Sequence, residues 1–418
     1  MTIYCKNCNK ENSNTDKFCI SCGSPLDIMS GNLQPLTQAG KKIWSFRTDT
    51  WGCLSSSTID GWGYMGVYSS PSVSDGLVYF GSNDRKFYCL SAADGRKIWD
   101  FKTGFTFILS ENLLYYGIYS SPCVSEGLVY FGSCDKKLYC LDAKTGRKIW
   151  DFKTDRWIIS TPRVVNGYVY FGSMDGKLYC VNAKTGSEIW NFKTGTFFRP
   201  GGIFSSPCIV DGFVYFGSKD GKLYCLSADE GKKVWDFRSG GWVYSSPCVS
   251  DDIVCFGSKD KKFYCLDRKT GKKIWDFKTD GWIYSSPSVV DGSVYFGSYD
   301  RNLYSLNVKT GRENWRFTTC SLFYYYPDGV NSSPCVADGL VYVGCCAKKL
   351  YCIDWKEGKK VWDFQTGNFF AFLRGVESSP CISDGYIYFG CNDGNLYCLD
   401  TGKRGIFAGS TLNNYNFQ

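Results

Sequence analysis

From about residue 41 onward, apolar and polar positions alternate in short runs, and β-branched and aromatic residues fill the apolar sites. No stretch keeps the three-to-four spacing of an amphipathic helix. The stretch SSPCVSEGLVYFGSCDKKLYCLDAKTGRKIWDF at 120–152 returns as SSPSVVDGSVYFGSYDRNLYSLNVKTGRENWRF at 285–317. Each such unit predicts four strands. The first is the [Ile/Val]-x-Ser-Ser-Pro-x-Val run. An Asp-Gly or Asn-Gly turn, such as Asp75-Gly76 or Asn166-Gly167, signals a hairpin into the second, Val-Tyr-Phe-Gly-Ser. Leu-Tyr-Cys-Leu-Asp forms the third. Lys-Thr-Gly turns into the fourth, Lys-Ile-Trp-Asp-Phe.

The proline of the first phrase occurs eight times, at 71, 122, 162, 207, 247, 287, 334 and 380, and the tryptophan of the last eight times, at 44, 99, 150, 190, 235, 275, 315 and 362. Four strands in a period of about 40 residues describe a propeller blade. The expected fold is therefore all-β: an eight-bladed β-propeller of four-stranded antiparallel blades spanning 41–418. The strand around Trp44 precedes the first complete unit, and the last unit, 378–400, has no tryptophan strand after it. Residues 41–48 are thus expected to close blade eight, with the tail segment 401–407 as the rival.

The phrase Leu-Asp-Ala-Lys-Thr-Gly-Arg-Lys-Ile-Trp at 141–150 resembles the tryptophan-docking repeat of the quinoprotein alcohol dehydrogenase family, which BamB-type outer-membrane assembly proteins share. The resemblance covers about residues 41–400. It implies eight blades around a channel, with each docking tryptophan packed between neighbours. It specifies fold more than function, because non-enzymes carry the repeat too.

Ahead of the propeller, Cys5-Lys-Asn-Cys8 and Cys19-Ile-Ser-Cys22 form two CxxC knuckles. Their separation lets Cys5, Cys8, Cys19 and Cys22 converge on one tetrahedral zinc ion, and the segment 1–26 resembles the small zinc ribbons found at the ends of many proteins. Four thiolates leave no open position, so a single structural zinc per chain is expected. Residues 27–40 read as a linker.

Composition narrows the chemistry. The chain of 418 residues has no histidine, which removes Ser-His-Asp and Cys-His nucleophilic sites and His-ligated zinc enzymes. Of the 23 cysteines, seven recur in one frame, at Cys89, Cys140, Cys180, Cys225, Cys265, Cys352 and Cys398, and five follow the repeated proline, at Cys123, Cys208, Cys248, Cys335 and Cys381, as small buried hydrophobes do. No basic-then-apolar segment opens the chain, so the cysteines read as reduced thiols and a cytoplasmic location is expected. A net charge of +8 over this length is mild. No apolar run is long enough for a membrane span.

Loops between blades vary in length while the other turns stay nearly constant. The variable loops are aromatic, with Phe323, Tyr324, Tyr325, Phe369 and Phe370 among them and Trp157, Trp242 and Trp282 in shorter ones. They either pack on one another as a lid or form a contact surface. The position just before Ser-[Ser/Thr]-Pro begins the innermost strand and reads Tyr68, Tyr119, Ile159, Phe204, Tyr244, Tyr284, Asn331 and Glu377. Arg163 also departs from the repeat. Tyr68, Tyr119, Arg163, Phe204, Tyr244, Tyr284, Asn331 and Glu377 are the candidate channel residues.

Three functions compete. The leading expectation is a non-catalytic scaffold that binds a protein, a peptide or a glycan, as a monomer, with the ribbon as an accessory module. A pyrroloquinoline quinone dehydrogenase is the enzyme alternative. For it the resemblance implies calcium on Glu, Asn and Asp side chains and a vicinal disulfide against the quinone. The adjacent Cys345-Cys346 lies in an ordinary blade hairpin, and no spacing demands the calcium set, so neither quinone nor catalysis is expected. Nucleic-acid binding through ribbon and basic loops is the third. It is disfavoured because acidic residues accompany most lysine pairs.

Overall fold

The structure is a computed structural model that describes residues 2–4, 11–13, 38–49, 66–104, 117–196, 199–319, 329–367 and 375–402. It divides into two units, Met1–Ala39 and Gly40–Gln418. In the first, Thr2–Tyr4 pairs antiparallel with Glu11–Ser13.

The second unit is an eight-bladed propeller of four-stranded antiparallel sheets. Blade one comprises Ser72–Ser74, Leu77–Gly81, Lys86–Ser91 and Lys97–Lys102. The remaining blades repeat this order. In blade eight, Cys381–Ser383, Tyr386–Gly390 and Asn395–Asp400 are completed by Lys42–Arg47, with Trp44 opposite Cys398. In seven of the eight blades the first hairpin turns through two residues of positive φ, such as Asp75 (51°) and Gly76 (72°), the geometry that Asx-Gly supplies at low cost; in blade five, with Asp251-Asp252, only Asp251 (48°) has it. A bulge between Cys89 and Leu90 bends the third strand, and its counterpart recurs in every blade.

The core lies between blades. One cluster joins Phe87 and Cys89 of blade one to Phe131 and Tyr139 of blade two, and Phe87 stacks on Phe131 at 4.0 Å between ring centroids. The fourth-strand tryptophans make the outer link. Trp99 Nε1 donates to the Ala143 carbonyl of the next blade at 3.1 Å, and Trp150 to Ala183 at 3.0 Å. Each indole lies flat on a turn glycine. A Cβ placed on Gly146 would come within 2.6 Å of Trp99, and Gly146 has a φ of +71° besides, so both space and conformation demand glycine there.

Blade eight performs this docking with two remote chain segments. Gly40 donates to the Asp400 carbonyl and Asp400 to that of Lys41, copying the turn that Ser91, Gly95 and Arg96 make within one segment of blade one. Gly40 lies under Trp362 as Gly146 lies under Trp99. Here, however, Trp362 Nε1 is buried without a hydrogen-bond partner, whereas the seven other docking indoles donate to a carbonyl.

The repeated third-strand cysteines are buried. Burial pushes the thiols of Cys89, Cys140, Cys180, Cys225 and Cys398 up to about 12 from an ordinary 9.0. Unfolded thiols ionise first as the pH rises. The protonated-thiol contribution to stability is therefore intact below pH 9.0 and is lost on the way to about 12.

Two expectations follow from this architecture. Deleting residues 1–26 should leave the propeller's melting transition in place. Deleting 1–48 removes the strand Lys42–Arg47 and exposes the edge of Asn395–Asp400, so that variant should aggregate in sedimentation and light scattering. Separately, the midpoint of chemical unfolding should fall progressively above pH 9. Thiol titration should leave the five cysteines unreactive until the chain unfolds.

Candidate functional site

The Ser-Ser-Pro phrase builds the wall of the channel. Its first serine is tied to its own blade: Ser69 Oγ accepts from Gly81 N at 3.1 Å. Its second is tied to the neighbour: Ser70 N donates to Ser121 Oγ at 2.9 Å, and Ser379 N donates to Ser70 Oγ at 2.9 Å across the closure. Such bonds span seven of the eight junctions. Between blades two and three, Ser120 Oγ donates to the Ser160 carbonyl instead. Proline follows where the short inner strand needs no further N–H donor.

At the entrance of this wall, Tyr68, Tyr119, Phe204, Tyr244, Tyr284, Asn331 and Glu377 are all half-buried. The structure brings most of them into contact. Tyr68 lies 5.2 Å from Tyr119, Phe204 lies 4.3 Å from Tyr244, and Tyr244 lies 5.2 Å from Tyr284, measured between ring centroids. Burial pushes the Tyr284 hydroxyl up to about 12. Asn331 and Glu377, on blades seven and eight, bond to residues not foreseen from the sequence. Asn331 Nδ2 donates to the Tyr299 hydroxyl at 3.1 Å, and Asn392 Nδ2 donates to Glu377 Oε1 at 3.2 Å.

Arg163 stands apart from this pair. It lies within the inner strand of blade three, where its charge partly offsets the burial that raises the thiols of Cys123 and Cys208 on the flanking blades. Phe323, Tyr324, Tyr325, Phe369, Phe370 and the four ribbon cysteines lie outside the described residues.

The unforeseen residues share one position, the third in Gly-Ser-x-Asp. It reads Asn83, Cys134, Met174, Lys219, Lys259 and Tyr299 in blades one to six and Asn392 in blade eight. The hairpin holds x at the rim because its N–H donates to the loop entering the same blade, as Asn83 does to Gly66 and Lys259 to Trp242. The signal was present in the sequence: this is the variable position of an otherwise fixed phrase.

The aspartate that follows x is fixed by structure. Asp135 accepts from the Tyr139 hydroxyl at 2.6 Å and, at 2.7 Å, from Gly104 N in the loop leaving the previous blade. Equivalent Asp-to-Tyr bonds occur in seven blades. Blade seven has Ala347 instead, and Tyr351 donates to the Thr319 carbonyl. One carboxylate thus anchors both its own hairpin and the adjacent inter-blade loop.

A family model described as outer membrane protein assembly factor BamB matches residues 108–236, 175–262 and 246–408. The chain belongs to that family. A zinc-ribbon domain model matches residues 4–26. Among solved structures, BamB from Moraxella catarrhalis superposes with a TM-score of 0.67 at 15% identity, covering 87% of this chain and 100% of its own. The quinohemoprotein alcohol dehydrogenase ADHIIG from Pseudomonas putida HK5 gives 0.68 at 17% identity, covering 88% and 78%. At such identities the likeness establishes the fold alone. Curated relatives match over shorter stretches. The 1-butanol dehydrogenase (cytochrome c) of Thauera butanivorans is 28% identical over 89 residues, 21% of this chain and 13% of its own length. The quinone alcohol dehydrogenase subunit of Gluconobacter oxydans is 28% identical over 132 residues, 31% and 15%. The chain therefore spans less than a fifth of the length of these relatives, and the family holds enzymes and assembly factors on one architecture.

Proposed function

We propose that this propeller is a non-catalytic scaffold that binds a protein or peptide on the face carrying the inter-blade loops. The observation that supports this most is the employment of the mouth-facing carboxylates. In seven blades they accept from a tyrosine hydroxyl, and several also hold a neighbouring loop. What varies from blade to blade is the aromatic and polar rim, which suits recognition better than bond chemistry.

The lysines favour a protein over nucleic acid. Outer-strand lysines are largely neutralised in place, as where Lys137 and Lys148 share Asp151 at 2.8 and 3.2 Å, or Lys262 and Lys273 share Asp276. The quinone reading finds mixed support in its expected donor set. Glu377 accepts from Asn392 and Cys345 packs in a core cluster with Tyr295, Leu303 and Val330, whereas Asn331 donates through Nδ2 to Tyr299 and keeps its Oδ1, the atom that would ligate calcium, buried and unpaired among the described residues. Under the same reading the ribbon holds one structural zinc through Cys5, Cys8, Cys19 and Cys22. Four thiolates satisfy a tetrahedral ion completely, and metal binding supplies folding energy that so short a segment lacks. A reducing, cytoplasmic setting suits a chain with so many unoxidised thiols.

Elemental analysis of freshly purified, reduced protein should find close to one zinc per chain. Replacing Cys5 and Cys8 with Ser should remove it without unfolding the propeller. Once a partner is in hand, replacing Phe323, Tyr324 and Tyr325, or Phe369 and Phe370, with Ala should weaken binding by roughly 2 kcal/mol or more in calorimetry. Changing the exposed Lys144 and Arg147 of the opposite face should cost under about 0.5 kcal/mol. The reverse pattern, or alcohol oxidation on adding pyrroloquinoline quinone and calcium, would overturn the reading.

A further inference from the structure

On the rim of blades four to six, two tryptophans remain open to solvent, Trp242 at 36% and Trp282 at 39%. Lysines from the variable hairpin position lie over their rings. Lys259 Nζ is 3.9 Å from the Trp242 centroid and 4.2 Å from that of Trp282, and Lys219 Nζ is 4.7 Å from Trp242. Among the described residues neither ammonium has a carboxylate within ion-pair distance, unlike the outer-strand lysines. The two repel each other: burial first, and then the charge of Lys219, holds Lys259 below the ordinary lysine range.

Beside them opens a depression of about 310 Å³ lined by Lys219, Arg238, Gly240, Gly241 and Trp242 among others. Its one acid, Asp220, is already spent on the Tyr224 hydroxyl and Gly195 N. The loop itself differs from its siblings. The other two short tryptophan loops carry an acid two residues before the indole, Asp155 before Trp157 and Asp280 before Trp282, whereas Trp242 is preceded by Gly240. Positive charge is therefore concentrated at this one junction, where the nearby carboxylates of Asp220 and Asp260 are held by tyrosine hydroxyls and backbone N–H groups and neither is ion-paired with Lys219 or Lys259.

We infer that the patch formed by Lys219, Arg238, Trp242, Lys259 and Trp282 is a docking site for an extended acidic peptide segment of a partner. This rests on the scaffold reading above and adds the partner's chemistry. Carboxylates would pair with the ammonium groups that have no ion-pair partner among the described residues, and intervening apolar side chains would cover the exposed edges of the indoles. Phosphate fits less well. Three backbone N–H groups around the depression are already engaged, Gly221 with the Ser218 carbonyl, Ser239 with that of Gly221 and Gly240 with Asp260, so these three offer an anion nothing. Nucleic acid fits less well for a different reason. Ammonium groups already lie over the indoles on which a base would stack.

The test uses the full chain and a short peptide alternating Glu and Leu, with its Gln-for-Glu counterpart and an oligothymidylate as comparators. Binding is read by calorimetry and by the ¹⁵N-labelled indole resonances of Trp242 and Trp282. The glutamate peptide should bind and move both resonances, and its glutamine counterpart should not. Lys219→Gln or Lys259→Gln should each weaken binding roughly three- to fivefold, the effect of one exposed charge pair. Gly240→Asp, which supplies the acid that the sibling loops carry, should weaken it too, while Lys144→Gln should leave it unchanged. Melting curves confirm that each variant is folded.

Equal binding of both peptides, no response to the three patch variants, or tighter binding of the oligothymidylate on the same indoles would overturn the inference. So would a native partner whose binding the patch variants leave intact while the aromatic-loop variants abolish it. That last outcome would leave the scaffold reading standing.

Discussion

Everything in this propeller depends on one contact, the indole of one blade lying flat on the turn glycine of the next. The contact needs a glycine because no Cβ fits beneath the ring, and it needs positive φ because the chain must reverse there. Its hydrogen bond adds about 1 kcal/mol per junction and buries the ring besides. Because each blade docks only on its neighbours, stability in such a ring is a sum of junctions. The junction between blades seven and eight is the exception. Its turn is assembled from Gly40 and Asp400, far apart in sequence, and the Trp362 N–H is left unpaired. A buried unpaired donor costs on the order of 1–3 kcal/mol. Opening of the ring is thus expected to begin where the two ends of the repeat array meet.

Two further layers of hydrogen bonding separate what is fixed from what is free. Near the axis, serine hydroxyls link successive inner strands into a nearly continuous belt. On the loop face, an aspartate in seven of the eight hairpins holds a tyrosine and, in most of these, an adjoining loop. With backbone and acids committed in this way, the residue before each aspartate can vary without disturbing the fold. Asn83, Met174, Lys219 and Tyr299 occupy the same place and present four different chemistries to the rim.

This division explains what could be read from the chain beforehand. The blades, their strands and the tryptophan dock are repeated, and repetition reports on local geometry, so the eight-bladed fold was legible from spacing alone. The mouth residues were legible only as positions. Tyr244 and Tyr284 were expected to start the inner strand; the strands begin after the proline, at Cys248 and Ser288, and the two rings meet just ahead of them. Their polar partners were not foreseen, because Asn392 reaches Glu377 from the hairpin of its own blade and Tyr299 reaches Asn331 from the blade before. Sequence spacing does not encode such cross-hairpin pairing. Arg163 broke the pattern as clearly as Glu377 did, yet it lies deeper in a strand on a distant blade, beside buried cysteines.

A ring with eight near-identical units has no reason to favour one side, so any specific recognition has to come from departures from symmetry. Three kinds of departure exist here. Loop length differs between blades, the residues ahead of the inner strands turn polar at Asn331 and Glu377, and cations without ion-pair partners gather around Trp242. The first two fit either reading of the function. The third points to the chemistry of a partner. Cations left without acids gain little from folding, since like charges held near each other raise the energy of the folded state. Lys219 and Lys259 bear that cost together, on a face where Asp155 and Asp280 show that an acid is sterically acceptable in the loop. An anionic partner offsets the repulsion on binding, which couples recognition at this junction to relief of a strain that the isolated propeller carries.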